Sequence, residues 1–328
     1  MIRGSMMILF ACCQLLLAAQ TKPVITNLVF EGAGIRGVAY CGAINEMESA
    51  GMFQHIEKVG GTSAGAIVAL TISLGYTAGE IQEIIAGTNF NKFNDGRYFF
   101  AGGINRINKY FGWYRGTRIG NWFGEIIHQK TGNADITFEE LHQKGFKDLY
   151  VTGTCLNKQK LIIFSYETYP KMKVKDAVRI SVGIPLYFES VFIDPDGKVI
   201  HHPKHKEGLD VMVDGGLIGN FPIRIFDTGA NFNFATLGFR IDSDEQIKND
   251  RESKNIAPLP VGNFKQYMTA FYNMVIENLN RQQLRPEDWQ RTVSISDGKV
   301  GPRLRKLSKE EITTLIGNGR QAMNNFLH

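Results

Sequence analysis

The chain runs to 328 residues, 43% of them apolar and 21% charged, with a formal net charge of +5. That length can bury a large core in a single α/β domain, and the composition is that of a globular protein. No internal repeat or low-complexity tract is present, which excludes a solenoid or a linker-dominated chain.

Arg3 precedes an apolar run from Ile8 to Ala19, interrupted by Gln14. About twelve apolar residues are too few to span a bilayer but suit the core of a signal peptide. Residues 1–22 therefore read as a targeting segment, with a buried N-terminal helix as the alternative. A signal peptide would make the protein secreted, periplasmic or membrane-associated; otherwise it would be cytoplasmic. Cys12 and Cys13 lie in this segment, and Cys41 and Cys155 are expected to be free and buried.

The first strand pattern is Thr26–Phe30, followed by Glu31-Gly32-Ala33-Gly34-Ile35-Arg36-Gly37 and a helix pattern that ends at Gly51. Backbone N–H groups in a strand–glycine loop–helix unit point at whatever sits above the helix start, and the dipole favours negative charge there. A dinucleotide loop has this look, but its acidic partner would be Glu46 or Glu48, and both fall inside the helix. The other use of such a loop is an oxyanion hole.

A second strand pattern, Ile56–Gly60, leads into Gly61-Thr62-Ser63-Ala64-Gly65 and a run of small and apolar residues, Ala66–Ile72, that predicts a buried helix. G-x-S-x-G on a strand-to-helix turn lifts a serine hydroxyl out of the backbone. A plain glycine-rich turn is the competing account.

Between Phe90 and Phe123 stand six basic residues, one acidic residue (Asp95) and eleven aromatics. Residues 119–130 read as a buried helix stripe through Trp122, Phe123, Ile126 and Ile127. Residues 96–116 fit either a lid or membrane-interface segment, or further core. The rest of the chain is close to neutral and has no nucleic-acid-binding motif, which weighs against a nucleic-acid partner.

Leu149–Gly153 and Ala235–Phe239 read as strands between helix patterns, the alternation expected of a mainly parallel sheet. Val211–Val213 is an apolar strand ending at Asp214-Gly215-Gly216. The polar stretch before it holds His201, His202 and His205. Their spacing does not make a metal site, and no acidic calcium loop is present, so neither metal nor cofactor is expected. A Ser, Asp, His triad would need a histidine after the aspartate, and only the terminal His328 follows Asp214. Residues 242–262, with Pro258 and Pro260, read as a loop or lid. Phe264–Asn280 and the segment opened by the Ser308–Glu311 capping box read as helices with packing roles.

The loop Gly32 to Gly37, then Gly61 to Gly65, then Asp214-Gly215-Gly216 resembles the patatin-like phospholipases, and so do Ser181–Phe188 and Asn220-x-Pro222. The resemblance covers about residues 24–240. Ala33 departs from it, because a third glycine is common there. It implies an α/β/α sandwich around a mainly parallel sheet, and a Ser–Asp dyad with Ser63 as nucleophile and Asp214 as the base. Gly32, Ala33 and Gly34 would supply oxyanion N–H groups; Arg36, Gly37, Gly61, Gly65, Gly215 and Gly216 would support the site.

The expected activity is a serine acyl-ester hydrolase in residues 23–328, acting on phospholipid or lysophospholipid at a membrane surface through an acyl-enzyme. An acyltransferase using the same intermediate, or a lipid-binding protein without turnover, are the alternatives. A carboxylate base requires that Asp214 be desolvated and within hydrogen-bond reach of Ser63.

Overall fold

The computed structural model describes residues 23–328 except 97–98, 253–255, 275–280, 282–283 and 302–304. The targeting expectation for residues 1–22 lies outside the described residues. Among those described, no helix is long and apolar enough to cross a membrane.

The chain opens with β1 (Asn27–Phe30), a short 3-10 turn over Gly34–Val38 and α1 (Ala39–Ser49), which stops at Gly51 in the left-handed conformation. Next come β2 (Lys58–Gly61), α2 (Ala64–Ser73) and α3 (Ala78–Ala86). A hairpin-like unit follows, α4 (Phe99–Tyr110) and β3 (Gly112–Tyr114), then α5 (Thr117–Thr131) and α6 (Phe138–Gln143). The middle of the chain supplies β4 (Asp148–Cys155), β5 (Lys160–Phe164), α7 (Val174–Ser181), β6 (Leu186–Phe188), β7 (Val191–Ile193), β8 (Asp210–Asp214) and the single turn α8 (Gly216–Gly219). The last part gives β9 (Thr236–Asp242), α9 (Asp244–Arg251), α10 (Phe264–Tyr272), α11 (Pro286–Gln290), β10 (Thr292–Ser296) and α12 (Lys309–Leu327).

The large sheet has the order β10-β9-β1-β2-β4-β8-β7, with β5 also paired to β4. The strands from β10 to β4 run parallel, and β5, β7 and β8 enter by antiparallel pairing. The expected mainly parallel sheet with flanking helices is therefore present. On β1, Leu28 and Phe30 enter the main core with α1 and α2, while Val29 points the other way, against Phe221 and Ile223. This alternation follows from the two-residue period of a strand buried on both faces.

The parallel strands put the loops after β1, β2 and β9 at one edge of the sheet, where such folds bind ligands. β8 arrives from beyond that edge. Its last residue, Asp214, is opposite Gly153, two residues past Val151, the partner of Gly61. Register thus sets the Asp214 backbone level with the turn that carries Ser63.

Cys41 and Cys155 are free and buried, as expected. Trp122, Phe123, Ile126 and Ile127 form the buried stripe of α5. Two expectations are corrected. The 242–262 stretch is not all loop: Ser243 caps α9, its hydroxyl accepting the Gln246 N–H at 3.2 Å, with Asp244 and Glu245 favourably placed in the first turn. The packing role given to Phe264–Asn280 also fails where side chains are described. Phe264, Tyr267, Met268, Phe271 and Met274 are exposed, because polar and small residues take the inner positions of this helix.

Candidate active site

Ser63 has φ 52° and ψ −118°, a left-handed conformation that a side chain rarely adopts, at the turn between β2 and α2. The glycines around it permit the close packing that forces the turn. A Cβ on Gly65 would lie 2.3 Å from the Phe30 carbonyl oxygen, and one on Gly61 would lie 2.4 Å from the Gly65 carbonyl oxygen. The elbow is therefore wedged against the end of β1, which brings it beside the loop that follows β1. The Ser63 N–H donates to the buried Ser181 hydroxyl at 2.9 Å, so the end of α7 fixes the elbow from below.

Asp214 is buried, and its backbone N–H donates to the Gly183 carbonyl at 2.9 Å. Its carboxylate accepts the Gly216 N–H at 2.8 Å, and the Ser63 side chain is near enough to influence its ionisation. Burial is the dominant influence and pushes its pKa from 3.8 up to about 7, against the smaller lowering effects of the Gly216 N–H and the Ser63 side chain. Gly215 leaves room for this turn, because a Cβ there would meet the Thr152 hydroxyl at 2.2 Å. Among the described residues no histidine hydrogen-bonds to Ser63 or Asp214. His202 is engaged elsewhere, 3.1 Å from Glu189 and stacked on Tyr110.

The loop after β1 meets the elbow from the other side. The Gly32 N–H donates to the Asn220 carbonyl at 3.0 Å, and the Asn220 side-chain amide returns a bond to the Gly32 carbonyl at 3.0 Å. Gly32 is thus spent within the scaffold, and the expectation of an oxyanion donor there is corrected. The N–H groups of Ala33 and Gly34 donate to none of the described residues, and Gly34, with φ 56°, lines the same cavity as Ser63. Arg36 is buried and its Nε donates to the Ala33 carbonyl at 3.2 Å, which fixes the peptide plane presenting Gly34. Gly37 lies against Ala64, a Cβ there coming within 3.0 Å of the Ala64 Cβ. Beneath the loop, Glu31 pairs with the buried Arg240 at 3.0 Å.

Ser63 opens on a small cavity of about 50 Å³ with almost wholly apolar walls, among them Ile67, Phe93, Ile119, Ile184 and Tyr187. A larger cavity of about 320 Å³, between α5, α7 and the His201–His202 turn, is lined by neither Ser63 nor Asp214. The apolar cavity is the one that bears on chemistry. Among the described residues no group of histidine, cysteine and carboxylate side chains could hold a metal.

Sequence reasoning assigned no role to Ser181, Asn220, Glu31 or Arg240. Asn220 and Ser181 stood in quoted motifs, but their partners are distant in the chain. Of the cavity walls, Phe90–Phe93 carried no signal beyond aromatic density, and Ile184–Phe188 stood in a quoted motif with no cavity role assigned.

A family model described as patatin-like phospholipase matches residues 28–227. The chain belongs to this family. Among curated relatives of this patatin-like chain, the Bacillus subtilis (strain 168) protein YqhO is 33% identical over 208 residues, covering 60% of this chain and 65% of YqhO. "Probable lipid hydrolase 463L" of Invertebrate iridescent virus 6 is 28% identical over 208 residues, covering 61% of this chain and 62% of its own length. The patatin-like chain therefore spans somewhat under two thirds of these two relatives. Among solved structures, VipD from Legionella pneumophila superposes with a TM-score of 0.58 at 15% identity, covering 93% of this chain and 67% of that one, a likeness of fold.

Proposed function

We propose that this patatin-like protein is a serine acyl-ester hydrolase that releases fatty acyl chains from phospholipid or lysophospholipid. The observation that carries the reading is the buried Asp214 carboxylate, whose pKa the neighbouring Ser63 side chain lowers, with Ser63 itself lining an apolar cavity. Near neutral pH, an aspartate held close to pKa 7 is far better matched to proton transfer than an exposed one.

In the reaction, Asp214 takes the Ser63 proton as the oxygen attacks the ester carbonyl. Negative charge grows on the carbonyl oxygen, where the Ala33 and Gly34 N–H groups would meet it without reorganising. The tetrahedral adduct collapses, the C–O bond to the glycerol oxygen breaks, and the leaving alkoxide takes the proton from Asp214. Water then attacks the acyl-enzyme with Asp214 as base again, releasing the fatty acid and restoring Ser63. The family membership and the name of the viral relative favour lipid esters as substrates.

The test is labelling by a fluorophosphonate, followed by mass analysis of products from defined phospholipids with and without an alcohol acceptor. Labelling of the native protein, absent in Ser63→Ala, together with free fatty acid, is expected. Folded protein that takes no label would overturn the reading in favour of a binding protein, and acyl transfer to the added alcohol in preference to water would replace hydrolase by transferase.

A further inference from the structure

The loop after β1 has a charged neighbour from outside the matched family region. Residues 28–227 contain the elbow, the glycine loop and Asp214, but neither β10 nor the turn that follows it. β10 pairs with β9 in parallel, and β9 with β1, so the turn after β10 emerges at the same sheet edge as the loop after β1. Asp297 is the first residue of that turn, and its Oδ2 lies 3.9 Å from Nη1 of the buried Arg36.

The turn fixes the carboxylate independently of Arg36. Gly298 (φ 57°) and Lys299 (φ 65°) are both left-handed, and the Val300 N–H closes the turn on the Asp297 carbonyl at 2.9 Å. The Asp297 N–H donates to the Asp242 carbonyl at 2.8 Å, and the Lys299 N–H donates to Asp297 Oδ1 at 2.8 Å. One carboxylate oxygen is therefore bound within the turn, and the other faces the guanidinium. Burial raises the Asp297 pKa, while the Lys299 N–H and Arg36 lower it, so both of these partners favour the ionised form. The side chain of Asp242, at the end of β9, is instead engaged with Arg240 at 3.3 Å and with Arg281.

Arg36 reaches the catalytic loop from this corner. A buried guanidinium is costly unless its charge is offset, which Asp297 does. Arg36 Nε donates to the Ala33 carbonyl at 3.2 Å, and that carbonyl shares a peptide unit with the Gly34 N–H. Ala33 has ψ 5° and Gly34 has φ 56°, and glycine tolerates either sign of φ. A half-turn of this peptide is therefore open at Gly34. It would put an oxygen where the oxyanion needs an N–H.

We propose that Asp297 is a positioning residue for ester hydrolysis: by holding Arg36 against the Ala33 carbonyl, it keeps the Ala33–Gly34 peptide from flipping and the Gly34 N–H in place for the oxyanion. The proposal rests on the hydrolase reading and extends it to a residue beyond the family region.

The test is steady-state turnover of a short-chain, monomeric ester by the full chain, with fluorophosphonate labelling beside it. Asn at position 297 can still accept the Lys299 N–H, but it removes the charge facing Arg36. Asp297→Asn should lower kcat about tenfold and leave KM within about twofold, because an oxyanion forms only in the transition states of both half-reactions. Arg36→Met should lower kcat at least as far. The double variant should fall within about twofold of Arg36→Met alone, since Asp297 acts through Arg36. Urea unfolding establishes that each variant folds; if Asp297→Asn does not, Asp297→Ser, whose hydroxyl can also accept the Lys299 N–H, gives the same reading. Native kcat in the folded Asp297 variant overturns the proposal, as does a loss confined to KM. Losses that multiply in the double variant also overturn it, and assign Asp297 to general stability. Native protein that neither turns over ester nor takes the label overturns the hydrolase reading itself, a result seen before any variant is compared.

Discussion

The buried carboxylate of Asp214 accepts the Gly216 N–H at 2.8 Å, and burial holds its pKa at about 7. For the base role proposed for it, its ionisation is therefore set by pH in the physiological range. kcat/KM on a soluble ester should fall about tenfold per pH unit below pH 7 and level off above it, the profile of one group that must be ionised. Asp214→Asn should lower turnover at least about a hundredfold at pH 8, from the usual size of general-base effects. A profile flat from pH 5 to 8, or a variant with native turnover, would return the search to a histidine.

The same group makes a stability prediction of opposite sign to that of an ordinary ion-paired aspartate. Its folded pKa lies above its unfolded one, so the folded chain binds the extra proton between about pH 4 and pH 7. This contribution favours folding below that window, falls as pH rises through it, and is constant above about pH 7. Asp214→Asn removes the buried charge and can keep an acceptor for the Gly216 N–H. Urea unfolding should show the variant more stable at pH 8 by about 2–4 kcal/mol and close to native at pH 4.

Ser63 is held at φ 52° and ψ −118° by its neighbours, a conformation whose cost for a residue with a Cβ is about 1–3 kcal/mol. Ser63→Gly should abolish acyl turnover and raise unfolding stability by about 1 kcal/mol, after allowing for the flexibility glycine adds to the unfolded chain. Ser63→Ala should abolish turnover without that gain. Calorimetry on the two variants separates backbone strain from loss of the hydroxyl.

The cavity at Ser63, about 50 Å³, is small beside the roughly 300–1,000 Å³ of typical ligand pockets. A long acyl chain requires its walls to part. The Tyr187 hydroxyl donates to the Asn94 side-chain oxygen at 2.7 Å and ties the 184–188 wall to the 90–94 wall. Tyr187→Phe should lower KM for long-chain esters by about three- to tenfold, as one uncharged hydrogen bond is lost, and leave short-chain esters unchanged. Equal effects on both chain lengths would assign Tyr187 to substrate contact instead.

Much of the scaffold is legible in the chain itself. A strand can only be followed by a helix through Gly61–Gly65 if the turn is tight, and that steric demand is written in the glycines. The left-handed stop at Gly51 and the capping boxes are equally local. The sequence therefore identifies Ser63, the loop after β1 and the mainly parallel sheet. Reading Phe264–Met274 by periodicity finds the helix and misjudges its direction, because period locates an apolar face without saying what lies opposite it.

What tertiary structure alone decides is partnership between distant segments. Register along β2, β4 and β8 sets the Asp214 backbone level with the elbow, and only burial there raises its pKa. Gly32 looked like its neighbours Ala33 and Gly34 in the loop, yet its N–H is spent on Asn220, a residue far along the chain. Sequence fixes which groups exist and what their local backbone can do; desolvation and hydrogen-bond satisfaction depend on everything packed around them, and those properties arise only when the chain has closed on itself.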